Sequence, residues 1–184
     1  MEIIKDKTHP GNVIRYCPRC GSEYFLFDGE KAFKCQICRF HFFINSACAV
    51  AVIILNAEGD MLFTRRAVDP HKGMLDLPGG FVDPLESAEE SVMREIKEEL
   101  NLDVVSMQYM ASFPNDYVFS NYSVFTTDLC FLCEVSSFEH IHAKDDISGY
   151  EFIHPGDVDY NQIGSESIKN IVRAYIRTVS SDLD

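Results

Sequence analysis

The chain has 184 residues, a formal net charge of −13 and seven cysteines. That length suits one main domain with a small appendage. The negative charge repels phosphates, so nucleic acid is disfavoured as a partner unless a local basic patch offsets it. Hydrophobic residues make up 46%, enough for a packed core, yet the most apolar stretch, Ala47 to Leu55, is strand-sized and too short to cross a bilayer. The opening residues, "MEIIKDKTHPGN", lack a basic region followed by an apolar one and do not read as a signal peptide. The expectation is a soluble cytoplasmic protein without a membrane partner.

Cysteines without an export signal point to metal or free thiols more than to disulfides. Cys17-x2-Cys20 and Cys35-x2-Cys38 are 14 residues apart, with "GSEYFLFDGEKAFK" between them. Paired CxxC knuckles at this spacing predict one tetrahedral four-thiolate Zn²⁺ site. The "DGE" turn between aromatic runs lets a hairpin return the second pair. Four thiolates close the shell, so the zinc is expected to hold structure, and His41 reads as an ordinary polar residue at the module's end. Cys130-x2-Cys133 lies in a β-rich run, where residues three apart face opposite sides. These two, and Cys48, read as core cysteines.

The next segments alternate between strand and turn signals. "ACAVAVIILN" and "DMLFTRRAV" read as strands joined by "AEGD" in a hairpin. "GMLDLPGGFV" is a strand entering a Gly-rich loop. "LDVVSMQYMASF" and "YSVFTTDLCFLCEV" are further strands, and "SGYEFIHPGDV" is a short strand and a turn. At the end, Ile168, Ile171, Val172, Tyr175, Ile176 and Val179 recur at helix spacing. Strands before and after one central helix, with a second helix last, predict an α/β fold whose mixed sheet is covered on both faces. The expected segments are 1–46, with the ribbon, and 47–184, the main domain.

The central helix carries the chemistry. Ser87-x-x-Glu90 is a capping box, so a helix should start near Ser87 and run to about Leu100. Asn101 then takes the position after it, where a left-handed residue is common and Gly is the usual choice. At about 100° per residue, Glu99 falls some 40° from Glu95 and Glu98 about 60° the other way, while Ala88, Val92, Ile96 and Leu100 span about 20° to 140°. The three acids therefore border the packing face. Like charges three and four apart repel, and desolvation adds to the cost. Two readings stand: a solvated face with Arg94 and Lys97 as partners, or a site for a hard cation such as Mg²⁺, which prefers carboxylate oxygens.

These residues resemble a known family motif. Gly80, five residues, Glu86, seven residues, then Arg94-Glu95-Ile96-Lys97-Glu98-Glu99-Leu100-Asn101-Leu102 looks like the Nudix box, G-x5-E-x7-R-E-U-x-E-E-x-G-U. The departure is Asn101 in place of the final Gly. The resemblance covers about residues 47 to 180. It implies a Nudix α/β/α sandwich and a pyrophosphohydrolase using Mg²⁺ or Mn²⁺ on a small-molecule nucleoside diphosphate linked to another group, such as NADH, ADP-ribose, a nucleotide sugar or an NTP. It implies Glu95, Glu98 and Glu99 as metal ligands, Glu98 as the leading candidate to activate water with Glu99 also among the catalytic residues, the Gly80 carbonyl as a further ligand, and Glu86 and Arg94 as supports of the site. Relatives often add an acid from a later loop. In "HAKDDISGYEF" Asp146 is the first candidate and Asp145 the second, with a solvated acidic loop as the other reading. Arg65, in the typical flank "FTRRAVDPHKGMLDLPGG", is a substrate candidate. Phe113 and Tyr117 could stack on a base or fill the core. Dimers are usual among similar proteins, so a homodimer comes with the resemblance.

A four-cysteine ribbon ahead of such a domain also resembles the NADH pyrophosphatase group. Two features differ. The additional domain often found before the ribbon is not in these residues. The segment S-Q-P-W-P-F-P-x-S is replaced by "ASFPNDYVFSNY", and the chain has no Trp. The alternative function from another class is a Nudix-like pocket that senses nucleotides without cleaving them and uses the ribbon as a docking surface.

Overall fold

In a computed structural model, residues 6–181 are described. The outermost ends of the two expected segments, residues 1–5 and 182–184, lie outside them. The chain divides into a unit of residues up to Ser46 plus Asp116–Phe125, and a unit of Ala47–Asn115 plus Thr126 onward.

The smaller unit opens on a four-residue helix, α1 (Pro10–Val13), and a three-stranded antiparallel sheet, β1 (Phe25–Phe27), β2 (Ala32–Cys35) and β3 (His41–Phe43). Asp28 makes the "DGE" turn: its Oδ1 accepts from the N–H groups of Glu30, Lys31 and Ala32, and Gly29 takes a positive φ of 94°, which costs glycine little. Phe25 and Phe33 stack at 5.0 Å, and Phe27 lies 4.9 Å from Phe33. His41, read as a bystander, starts β3 and pairs with Lys34. The distal residues 116–125 belong here through Ser123, whose N–H donates to the Thr8 carbonyl and whose hydroxyl lies 2.7 Å from that of Thr8.

The larger unit carries two three-stranded sheets. One has the order β4 (Ala47–Ile54), β8 (Tyr122–Val135), β7 (Val104–Phe119), with β4 and β8 parallel. The other is β6 (Leu75–Asp76), β5 (Met61–Arg66), β9 (Ile147–Ile153), antiparallel throughout. Helix α2 (Ala88–Leu100) follows the Gly-rich loop and α3 (Glu166–Ser181) ends the unit. The alternation of β4 explains the layering. Val50, Val52 and Ile54 pack with Val92, Ile96 and Leu100 of α2, while Ala51 and Ile53 pack with Ile168, Ile171, Val172 and Tyr175 of α3. Burying side chains of this size stabilises by about 1.5–3 kcal/mol each. Cys130 and Cys133 fall in these two different clusters, as strand geometry requires, and Cys48 is half-buried.

The expected β4–β5 hairpin forms only at its turn. Asn56 and Asp60 close it, and one bridge joins Leu55 to Met61. Beyond it the strands part into different sheets. The edges are already taken: β4 pairs with β8 on one side, and on the other its Val50 and Val52 N–H groups donate to Gly80 and Pro78. Among the described residues no helix is long and apolar enough to cross a membrane.

Candidate active site

The Gly-rich loop runs along β4 and delivers two glycines to the acids of α2. The Val50 N–H donates to the Gly80 carbonyl at 2.8 Å, and the Val82 N–H to the Cys48 carbonyl at 3.0 Å. Gly79 has φ +139°, and a Cβ there would lie 2.1 Å from the Val50 carbonyl oxygen, so only glycine fits. Its N–H donates to Glu99 Oε2 at 3.1 Å. A Cβ on Gly80 would meet Glu95 Oε1 at 2.5 Å; the bare backbone leaves room for that carboxylate.

Helix α2 begins and stops as its sequence indicates. Ser87 and Glu90 form the reciprocal capping box, and Asn101 ends the helix in the left-handed region at φ 56°. Between those ends one arginine gathers the acids. Arg94 grips Glu86 with two parallel bonds of 2.8 Å, from Nε and Nη2, a fork geometry that lysine cannot make. Its Nη1 donates to Glu95 Oε1 at 2.7 Å and to Glu98 Oε2 at 3.2 Å. Nη2 also reaches the Phe81 carbonyl at 3.0 Å, tying the loop to the helix.

Burial ranks the three glutamates. The Glu98 side chain is 51% exposed and that of Glu95 12%, while Glu99 is only 6% exposed as a residue. Burial, with the charges of Glu95, Asp76 and Asp145, pushes the Glu99 carboxyl up to about 8, against the downward pull of the Gly79 N–H. Burial likewise raises Glu95, assisted by Glu98 and Asp145, while Arg94 draws it back. Hydrogen bonds from Arg94 and the Asp83 N–H hold Glu86 down at about 2. So Glu86 is a fixed anion serving Arg94. Glu95 and Glu99 are acids whose charge is poorly compensated. A hard divalent cation at these oxygens would keep both ionised, and carboxylates beside backbone carbonyls are the donors it prefers. The residues present fit such an ion. Glu98 faces Arg94, and the glutamate oxygens do not converge as a closed cage. Among the described residues, the one set of ligating atoms all within 4.8 Å of each other is that of the four cysteines.

In that set the sulfurs of Cys17 and Cys38 lie 3.6 Å apart, as do those of Cys20 and Cys35. A tetrahedron with Zn–S bonds near 2.3 Å has sulfurs about 3.8 Å apart, so the cluster fits zinc. Each knuckle ends in a left-handed residue four positions after its first cysteine, Gly21 at φ 73° and Arg39 at φ 61°. The Cys38 N–H points at Cys35 Sγ and is the largest cause that lowers its thiol.

The remaining sequence-derived candidates are scattered. Arg65 is paired with Glu151 at 2.7 Å and donates to the Gly73 carbonyl and Gln162. Phe113 packs against the α3 side of the core. Tyr117 belongs to the smaller unit, 6.4 Å from Phe119 and nearly parallel to it. In the later loop, the Asp146 carbonyl accepts from the Ala67 N–H, and it is the charge of Asp145 that reaches Glu95 and Glu99. Asp145 sits at positive φ in a tight turn, where side-chain direction follows no periodicity. Gly79 and Asp76 were also missed as site residues. Asp76 is a half-buried acid, its side chain 18% exposed, raised mainly by desolvation, which pairs with Arg66 at 2.9 Å and reaches Glu99 by its charge. A short strand of two residues gave no pattern that marks it.

Comparison with known proteins adds the family context. The NUDIX domain family model matches residues 46–175. A protein of Pseudomonas fluorescens named NAD-capped RNA hydrolase NudC is 33% identical over 98 residues, covering 53% of this chain and 35% of that one. Its namesake in Stutzerimonas stutzeri is 34% identical over the same length and coverage. The chain thus spans about a third of the length of these relatives. Among solved structures, a NUDIX hydrolase of Nitrosomonas europaea superposes with a TM-score of 0.67 at 18% identity, over 89% of this chain and 91% of that one. The NUDIX domain of Shewanella oneidensis NrtR, complexed with ADP ribose, gives 0.60 at 17%, over 74% and 90%. At such identities these structures speak for the fold alone, and the fold they share is the α/β arrangement described above.

Proposed function

The chain belongs to the NUDIX family, and we propose that it is a divalent-metal-dependent pyrophosphohydrolase cleaving a nucleoside diphosphate linked to another group. The observation that carries this reading is Glu99, 6% exposed, beside Glu95 and with a single backbone N–H as partner. A carboxylate pair so placed gains most from a cation. When bound, Mg²⁺ or Mn²⁺ neutralises phosphate charge, polarises phosphorus and lowers the pKa of attacking water. Glu95 and Glu99 would hold the ion, and the Gly80 carbonyl, which accepts from Val50, could add a further oxygen. Of the three glutamates Glu98 is the most exposed, and its bond to Arg94, at 3.2 Å, is longer than that of Glu95. It is free to turn to the water and take its proton. Arg94, anchored by Glu86, positions both neighbours. Water then attacks one phosphorus and a nucleoside monophosphate or its equivalent leaves.

The relatives named NAD-capped RNA hydrolase support testing NAD-type substrates first. The acidity is uneven along the chain. Residues 1–46 carry seven Lys or Arg against five Asp or Glu, and the rest nine against 24. An RNA-linked substrate is therefore a second reading worth an arm of the same test. Purified protein with Mg²⁺ should release a nucleotide from at least one of NADH, ADP-ribose, nucleotide sugars, NTPs or NAD-capped RNA. Nucleotide binding in Mg²⁺ without turnover of any of them would instead support a sensing pocket. The four thiolates fit a structural zinc in a reducing compartment.

A further inference from the structure

The helix that carries the acids ends in Asn101, where the family motif has glycine. The left-handed turn explains why Gly or Asn is needed; it does not explain an amide. The amide has a partner. Asn101 Nδ2 donates to the His140 carbonyl at 3.2 Å. Two more bonds continue the contact: the His142 N–H to the Leu100 carbonyl at 3.2 Å, and the Lys144 N–H to the Glu99 carbonyl at 2.9 Å. The loop from His140 to Lys144 is thus laid along the last turn of α2, using carbonyls that a helix end leaves unpaired. Next comes a tight turn, closed by the Ile147 N–H on the Lys144 carbonyl at 3.3 Å, with Asp145 at φ 56°. On its far side the Ala67 N–H holds the Asp146 carbonyl at 2.7 Å.

We propose that Asn101 is a positioning residue for the acid site: its side-chain amide fixes the start of the 140–147 loop, so that the turn at Asp145 presents its carboxylate to the ion held by Glu95 and Glu99. A glycine would make the same helix stop and leave the loop held by its backbone bonds and by the packing of Ile141, Ala143 and Ile147, without a side-chain hydrogen bond to the helix end. The charge of Asp145 already reaches both glutamates, which the placement of the turn accounts for. The inference rests on the divalent-ion reading of the site.

Asn101→Gly isolates the idea, because glycine tolerates the left-handed turn and removes only the amide. Mn²⁺ binding to the zinc-loaded full chain, followed by the electron paramagnetic resonance of free Mn²⁺, should weaken about two- to tenfold, the range of one hydrogen bond. The melting temperature should stay close to that of the parent. Amide exchange at residues 140–146 should quicken. Asp145→Asn should weaken Mn²⁺ as well, and adding Asn101→Gly to it should cost nothing further, since Asn101 acts through Asp145. Equal Mn²⁺ affinity in Asn101→Gly and parent overturns the proposal while leaving the divalent-ion reading intact. So does an equal loss in both backgrounds, which would mean an effect on the helix end itself. Failure of the parent to bind Mn²⁺ removes both.

Discussion

The two clusters of ligating side chains in this molecule are built in opposite ways. In the ribbon, two knuckles with matching left-handed residues, Gly21 and Arg39, set four sulfurs within 4.8 Å of one another. On α2, Glu95 and Glu98 are both drawn to one arginine nitrogen, and Glu99 is turned to the Gly79 N–H. The first cluster is closed by backbone turns and leaves no position for a substrate. The second is spread along a helix and restrained by a cation of the protein's own, so its carboxylates can exchange partners. A site that holds structure converges; a site that must admit a phosphate and a water stays open.

The largest expected effect falls on the closed cluster. Structural zinc in small modules contributes on the order of 10 kcal/mol of apparent binding energy. Metal analysis should find one equivalent of zinc per chain, and none once Cys17 and Cys35 are both replaced by serine. The replacement should also expose the amides of β1–β3 and of residues 116–125 to exchange, because Thr8 and Ser123 join them. The amides of α2 and α3 should keep their protection. Protection of 116–125 unchanged in a zinc-free chain would contradict the grouping of those residues with the ribbon.

Next comes the open cluster. Glu98→Gln with Glu99→Gln keeps shape and removes charge, and should lower kcat/KM by about a thousandfold or more, on the order of 4 kcal/mol of transition-state stabilisation. Arg94→Lys is the sharper variant. It keeps one charge but loses the fork that grips Glu86 and the reach to Glu95 and Glu98. Turnover should fall with melting temperature little changed. Full activity in the double-glutamine variant would remove the acids from the reaction, and full activity in Arg94→Lys would remove the fork from it.

The sequence was most legible where local rules act alone. Ser87, Glu90 and Asn101 announce both ends of α2, and the helical angles place Glu99 on the packing edge where it is found buried. The two CxxC pairs announce the ribbon because four ligands at fixed spacing admit few geometries. The β4–β5 pairing was misread because a turn and two apolar runs look the same whether the strands stay together or part. What separated them was competition for β4's edges from β8 and from residues 78–82. Neighbouring acids in a turn have no sequence periodicity, so the residues alone do not separate Asp145, which takes the positive φ, from Asp146.

A smaller effect, on the order of a few kcal/mol, should appear in pH dependence. Glu99 has its carboxyl raised from an ordinary value of 4.5 to about 8, chiefly by burial. Below 4.5 the group is protonated folded or unfolded, and its contribution is fully present. Between 4.5 and 8 the unfolded chain gives up the proton while the folded one retains it, so stability falls as pH rises and levels off above 8. Melting curves of the zinc-loaded protein without Mg²⁺ should show this slope, and Glu99→Gln should flatten it. Mg²⁺ should bind with proton release in the same window, read by calorimetry in two buffers of different ionisation enthalpy. A slope identical in Glu99→Gln would assign it elsewhere.

The smallest effect tests whether the open cluster depends on the helix that carries it. Ser87 accepts from the Glu90 N–H while Glu90 returns a bond of 2.8 Å to the Ser87 N–H. Ser87→Ala should cost about 1 kcal/mol of stability, the usual worth of such a cap. The frayed turn would be residues 88–90, which lie more than one turn from Glu95, Glu98 and Glu99, while Ser91, fully buried and accepting from Arg94, stays with the packed part of the helix. With Val92, Ile96 and Leu100 fully buried, the rest of the helix is held by packing. Mn²⁺ affinity should therefore stay within about twofold of the parent while the melting temperature drops by a few degrees. A loss of Mn²⁺ affinity as large as that of Asp145→Asn would show that the acids are placed by the helix start as much as by the sheet beneath them, and that the open cluster is far less independent of distant turns than Arg94 and Gly79 make it.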